Sequence, residues 1–268
     1  GHIDSGARIA EILTESFDLH LSPRRWPHVR VASIASLFEV SGDERFLVVF
    51  AADHVVMDAY SIMLSINEIQ TLYQVETDGG DAALPAVGSH LDFSSSDRLA
   101  GDALREGHPA VELWRRYRDR AAPGVPESGL PMHFPRIEAD DPLPAGPQRG
   151  FSEFILDADE SAAVGEHARG TGTGTQAAIF AAIAVAYQAL CGTPLLRLVM
   201  PWHTRHEPQY LLSIGWYVGL GPLEVDLAGT ATFADALHAT ARGIATAREV
   251  SRAQHRRIDE ILGSAAEP

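Results

Sequence analysis

The sequence predicts an α/β (α+β) fold, and three observations carry the prediction. Short apolar, β-branched runs that read as strands recur in both halves of the 268-residue chain. Runs with helical spacing stand between them, so neither an all-helical nor an all-strand class fits. Apolar residues make up 46% and charged residues 21%, the composition of a chain that buries a core.

Each element follows from its local pattern. Residues 7–16 suit a short helix. Val29 to Val40 reads as a strand, and Ser41-Gly42-Asp43-Glu44 as the turn after it. Phe46 to Ala52 is a continuous apolar run, expected as a strand buried on both faces and paired with the first in a hairpin. A helix over about Tyr60–Tyr73 carries Ile62, Ile66, Ile69 and Tyr73 at helical spacing, and the Gly79-Gly80 pair ends it. Residues 92–120 hold two helical pieces, the second with Trp114, Tyr117 and Arg115, Arg116, Arg118 and Arg120. Seven prolines fall between Ala121 and Gly150, the composition of a linker. Beyond it come a strand over Gly150–Leu156, a helix near Ala158–Arg169 and the loop Gly170–Thr175, with Thr175 as the expected N-cap. The helix Gln176–Leu190, strands Leu195–Pro201 and Trp216–Leu227 and the helix Thr232–Arg252 complete the order. The resulting division is 1–125, a linker at 126–149, and 150–268.

Composition excludes several function classes. Asp and Glu number 36 against 21 basic residues, a formal net charge of −15, so nucleic acid and anionic membranes are poor partners. Every basic residue is Arg, so Schiff-base chemistry and a P-loop lysine are ruled out. Cys191 stands alone, without a partner for an intramolecular disulfide or a thiolate zinc cage, and reads as a small buried hydrophobe. No stretch reaches the roughly 20 apolar residues of a membrane span. The chain starts Gly1-His2 with neither initiator Met nor signal peptide, as a cloning scar or a fragment would.

The strongest chemical signal is His54-x-x-x-Asp58, directly after a strand and before a helix. Such a loop is anchored on one side by the strand and can aim a side chain into a cleft. Histidine is the side chain that titrates near neutrality, and a nearby carboxylate can orient the ring or tie the loop down. The same spacing also fits a structural histidine, or a metal pair completed by His20 or His28.

Four stretches in order carry a family resemblance. They are Phe17-Asp18-Leu19…Pro23…Arg30-Val31, Asp53-His54-x-x-x-Asp58-Ala59-Tyr60-Ser61, Thr204-Arg205-His206-Glu207-Pro208, and Gly215-Trp216-Tyr217-Val218-Gly219. The series resembles the condensation-domain superfamily of chloramphenicol-acetyltransferase-like acyltransferases. It is most similar to the free-standing, polyketide-associated (Pap-type) acyltransferases of actinobacteria. The resemblance runs from about Phe17 to about Leu262.

It implies two chloramphenicol-acetyltransferase-like lobes in a V-shaped pseudo-dimer, both incomplete here, so the chain is expected to be a fragment. It implies acyl transfer from a phosphopantetheine thioester, on an acyl carrier protein or coenzyme A, to an alcohol or amine. Such a protein holds no permanent cofactor or metal, works in the cytoplasm, and meets a carrier protein or a polyketide or peptide synthase besides its small-molecule acceptor. His54 matches the histidine that deprotonates the nucleophile, or that orients it. Asp58 would be structural, paired with Arg205 or, second, Arg30. Trp216 and Tyr217 would line the acceptor channel, or belong to the core, and Gly219 would permit close backbone approach. Asp53 stands where the commoner motif has a first His, and it either raises the basicity of His54 or caps the following turn. Ala59 stands where that motif has Gly. His203 and His206 read as loop surface. The four arginines near Trp114 read as a docking face or a solvated one. Ester formation in lipid, glycolipid or polyketide synthesis leads. Amide formation by a peptide-synthetase-type domain and a non-catalytic, partner-recruiting domain remain as alternatives.

Overall fold

A computed structural model describes residues 5–35, 46–120 and 153–263. The turn expected at Ser41–Glu44, the end of the first strand past residue 35, the linker at 126–149 and the start of the strand expected at 150–156 lie outside the described residues. The chain divides into two compact units, each built from two stretches. One comprises Gly1–Ser96 with Arg205–Val218, the other Asp97–Thr204 with Gly219–Pro268.

The first unit contains α1 (Ser5–His20), β1 (Val29–Ala35), β2 (Phe46–Ala52) and α2 (Ala59–Asp78), and α3 (His90–Ala103) starts in it. The two strands pair antiparallel, Val29 opposite Ala52 and Ala35 opposite Phe46. Burial of β2 on both faces is not observed: Phe46, Leu47 and Val48 are exposed and the other four residues half-buried. Among the described residues the sheet has two strands, so the apolar run is not sandwiched there.

Helix α2 starts where the Asp58 carboxylate accepts the Ser61 amide at 2.7 Å, a cap worth about 1 kcal/mol. It stops at Gly79, whose φ of 78° favours glycine. The expected apolar stripe faces out, since Ile62, Ile66 and Tyr73 are exposed while Ser61 and Ser65 are buried. The buried edge is the one whose Ser61 hydroxyl meets Gly215.

The second unit holds α4 (Pro109–Asp119), α5 (Ala158–Gly170), α6 (Thr175–Cys191), β3 (Leu195–His203), β4 (Val218–Asp226, from Gly219 on), α7 (Phe233–Val250) and α8 (His255–Ile261). Strands β3 and β4 form a second two-stranded sheet. The α6 face of Ala178, Ala181, Ala184 and Tyr187 meets Leu196 and Leu198 of β3, Leu223 and Val225 of β4, and Leu237 and Ala247 of α7. Burying each such leucine contributes about 1.5–3 kcal/mol. A second cluster joins Val111, Trp114 and Tyr117 of α4 to Val250 and Ile258.

Capping chemistry sets the boundaries. Asp157 and Glu160 form a reciprocal box that starts α5, and Thr232 and Asp235 form one that starts α7. Residues 153–156 are not a strand, Phe154 is fully exposed, and among the described residues no strand pairs with them. Gly174, not Thr175, caps α6. The hydroxyls of Thr171 and Thr173 both donate to the Ala168 carbonyl, so the Gly-Thr loop closes the end of α5. Helix α8 extends the C-terminal end beyond the expected elements.

The glycines of β4 permit close packing on α7. A Cβ on Gly219 would lie 1.9 Å from the Ser251 carbonyl oxygen, and one on Gly221 would lie 2.0 Å from that of Ala247. No single helix among the described residues is long and apolar enough to cross a membrane.

Candidate active site

The loop between β2 and α2 is pinned at both ends. Its first residue, Asp53, donates its amide to the His28 carbonyl (2.8 Å) beside the β1–β2 ladder. The Asp53 carboxylate then accepts the Val55 amide (3.0 Å), so the carboxylate serves the turn. At the far end the Asp58 amide donates to the Gly215 carbonyl (3.1 Å).

His54 sits between these anchors with an exposed ring. Its Nδ1 lies 2.6 Å from the Met57 carbonyl oxygen, which only accepts. Nδ1 therefore carries the hydrogen of the neutral ring, and the lone pair is on Nε2. The Trp216 ring stands edge-on to it, centroids 5.0 Å apart at 70°. In the neutral form of this exposed residue the nitrogen left to accept a proton is therefore Nε2, on a loop whose backbone is held.

Asp58 takes no outward-facing position. Both its oxygens are used: Oδ2 accepts from Arg205 Nη1 (2.6 Å) and the Tyr217 amide (3.0 Å), and Oδ1 from Arg205 Nη2 (3.0 Å) and the Ser61 amide. The two side chains are 4% and 1% exposed, a buried bidentate pair. Burial pushes the Asp58 carboxyl up. The Arg205 guanidinium and the Ser61 and Tyr217 donors outweigh it and hold the carboxyl below its ordinary value. Arg205 has further partners. Nη2 reaches the Ser61 hydroxyl (2.7 Å) and the Ser213 carbonyl (3.2 Å), and the guanidinium lies 4.2 Å from the Tyr217 ring centroid and 5.0 Å from that of Tyr60.

The stretch 213–217 is held by the same groups. The Ser61 hydroxyl donates to the Gly215 carbonyl (2.9 Å) and accepts the Gly215 amide (3.0 Å). Tyr217 is fully buried and donates to the Ser213 hydroxyl (2.8 Å), so it is a core residue. Trp216 is 39% exposed and borders His54.

The remaining sequence candidates stand elsewhere. The partners of Asp58 do not include Arg30, whose buried Nε has no hydrogen-bond partner among the described residues. Gly219 belongs to the β4–α7 packing. His203 and His206 are exposed. The nitrogens Nδ1 of His20 and His28 donate to the Ser16 and Ser22 carbonyls. Among the described residues no three His, Cys, Asp or Glu side chains converge as a metal site would require. Three of the four arginines around Trp114 pair with acids: Arg115 with Glu112, Arg118 with Asp259 and Arg120 with Glu224. Sequence reasoning passed over two residues at the site, Ser61 as a buried linchpin and His90, whose Nε2 lies against the Trp216 peptide. Neither stands out locally, because each partner is more than 120 residues away.

A family model described as the condensation domain matches residues 30–266. Acyltransferase PapA3 of Mycobacterium tuberculosis is 25% identical over 231 residues, covering 85% of this chain and 47% of that protein. The 2'-acyl-2-O-sulfo-trehalose (hydroxy)phthioceranyltransferase PapA1 of the same species is 25% identical over 222 residues, 81% of this chain and 41% of that one. The solved structure of PapA2 acyl transferase superposes with a TM-score of 0.66 at 18% identity, over 85% of this chain and 49% of its own. The chain thus spans less than half the length of each of these three relatives.

Proposed function

The chain belongs to the condensation-domain family, and we propose that it transfers an acyl group from a phosphopantetheine thioester to an alcohol, with His54 as general base. One observation carries this reading. The His54 ring is tied through Nδ1 to the Met57 carbonyl, which in the neutral ring leaves the lone pair on Nε2 of an exposed residue in a pinned loop. A base needs that arrangement, an available nitrogen of fixed direction.

In the proposed step Nε2 takes the proton of the acceptor hydroxyl as its oxygen attacks the thioester carbonyl. The tetrahedral intermediate then collapses, the C–S bond breaks, and the imidazolium returns its proton to the leaving thiolate. Asp58 and Arg205 take no part in the proton transfer, since all four donors on the carboxylate are structural. Their part is to hold the loop that aims His54.

The names of PapA3 and PapA1 support the transfer class, and that of PapA1 supports a sugar alcohol as acceptor class. The reading includes a cytosolic setting, where carrier-bound thioesters are made, with coenzyme A or an acyl carrier protein as donor partner. Thiol release from a panel of acyl-CoA donors, with sugar and amine acceptors, tests it. Release should require an alcohol acceptor and vanish in His54→Ala, whose exposed ring can be removed without unfolding the protein. Parental turnover in that variant would overturn the assignment of the base. Release with amines alone would overturn the choice of acceptor.

A further inference from the structure

We propose that His90 is a positioning residue for His54, acting through the peptide of Trp216; the proposal rests on the reading of His54 as the base. The Trp216 ring is partly exposed, so burial alone does not hold it against His54, and its direction follows from its backbone. The neighbours Gly215 and Tyr217 are tied to Ser61 and Asp58. The Trp216 amide and carbonyl themselves face one atom, His90 Nε2, at 3.1 and 2.9 Å. A ring nitrogen serves one of them at a time: unprotonated it accepts the N–H, protonated it donates to the C=O. In both states the same residue is held.

His90 is well placed for this task. It is the first residue of α3, and its ring meets that of Tyr217 edge-on at 4.9 Å. A Cβ on Gly215 would lie 2.3 Å from His90 Cδ2, so the ring occupies the space that the glycine leaves. The contact chain runs from His90 to the Trp216 peptide, to the Trp216 ring, to the His54 ring. A base displaced by about 1 Å loses on the order of 100-fold in rate.

The test compares His90→Leu, which keeps bulk against Tyr217 and loses the polar atom, with His90→Gln, which restores one. In the thiol-release assay His90→Leu should lower kcat about 10- to 100-fold with little change in KM, and His90→Gln should recover most of it. Equal loss in both variants, or full activity in His90→Leu, would overturn the proposal. Nitrogen-15 NMR of the His54 ring gives a readout independent of turnover. A single Nδ1–H form is expected in the parent and in His90→Gln, and a mixture of ring forms in His90→Leu. Trp216→Leu, which leaves His90 and the backbone contact in place, should give the same mixture. An unchanged His54 spectrum in either leucine variant overturns the proposal. A parent protein without turnover would remove the base reading alone, and the His54 spectrum would still decide the positioning.

Discussion

Replacing Asp58 by Asn tests the core of the site, because the change keeps shape and removes charge. The carboxylate accepts four hydrogen bonds, two on each oxygen. Asparagine offers one acceptor oxygen. Whichever way its amide turns, two donors lose their partner and an NH2 group faces one Arg205 nitrogen. Arg205 is 2% exposed, so its charge is left buried without compensation. Breaking one side of a buried pair costs about 3–5 kcal/mol. At roughly 2–4 °C per kcal/mol for chains approaching this size, the melting temperature should fall on the order of 10 °C. The dependence on pH has a definite sign. The Asp58 carboxyl is held below its ordinary value of 3.8 in the folded protein. Its contribution is therefore present above that value and lost as pH falls through the lower, folded-state one. Circular-dichroism melts of the parent and Asp58→Asn should differ most near neutrality and converge in acid below the ordinary value. Equal melting temperatures at pH 7, or a gap that does not narrow in acid, would refute the reasoning.

Four further substitutions follow from the same structure. Ser61→Ala leaves the buried Gly215 amide without its 3.0 Å acceptor and should cost about 1–3 kcal/mol. Combined with Asp58→Asn in a double-mutant melt it should add less than the sum, because both act on Arg205. Gly221→Ala places a Cβ 2.0 Å from the Ala247 carbonyl oxygen and should destabilise by about 1–3 kcal/mol in urea titration. Gly170→Ala, with nothing within 4 Å of its Cβ, should be close to neutral in the same titration. Burial pushes the His255 imidazolium below its ordinary 6.5, against the pull of Asp259 and with the help of Arg118. Its neutral form favours folding above that value, and the benefit is lost as pH falls, so His255→Leu should flatten the decline in melting temperature between about pH 7 and pH 5.

What was legible in the sequence was local. The bounds of β2, the Gly stop of α2 and the Thr232 start of α7 all depend on residues within one turn of the boundary. Where two local signals competed, the reading failed. Thr175 has the residue type of an N-cap, but its neighbour Gly174 holds the extended backbone that a cap requires. The run at Phe46–Ala52 has the composition of a doubly buried strand, and composition does not say how many strands flank it.

The site itself joins residues that no periodicity connects. Asp58 and Arg205 are 147 positions apart, Ser61 and Gly215 are 154, and His90 and Trp216 are 126. Asp58 and Arg205 were reached together only because each lies in a motif of the resemblance. Ser61 ended such a motif and His90 lay outside every one of them, so their contacts appeared only in the structure. The asymmetry has a physical source. A cap or a turn is decided by a few dihedral angles near one residue. The His54 ring touches Met57 beside it and a ring, Trp216, whose peptide is held from another part of the chain. A variant series that moves the Trp216 peptide without touching residues 53–58 is therefore the sharpest probe of whether the His54 loop is aimed by its own turn or by that distant support.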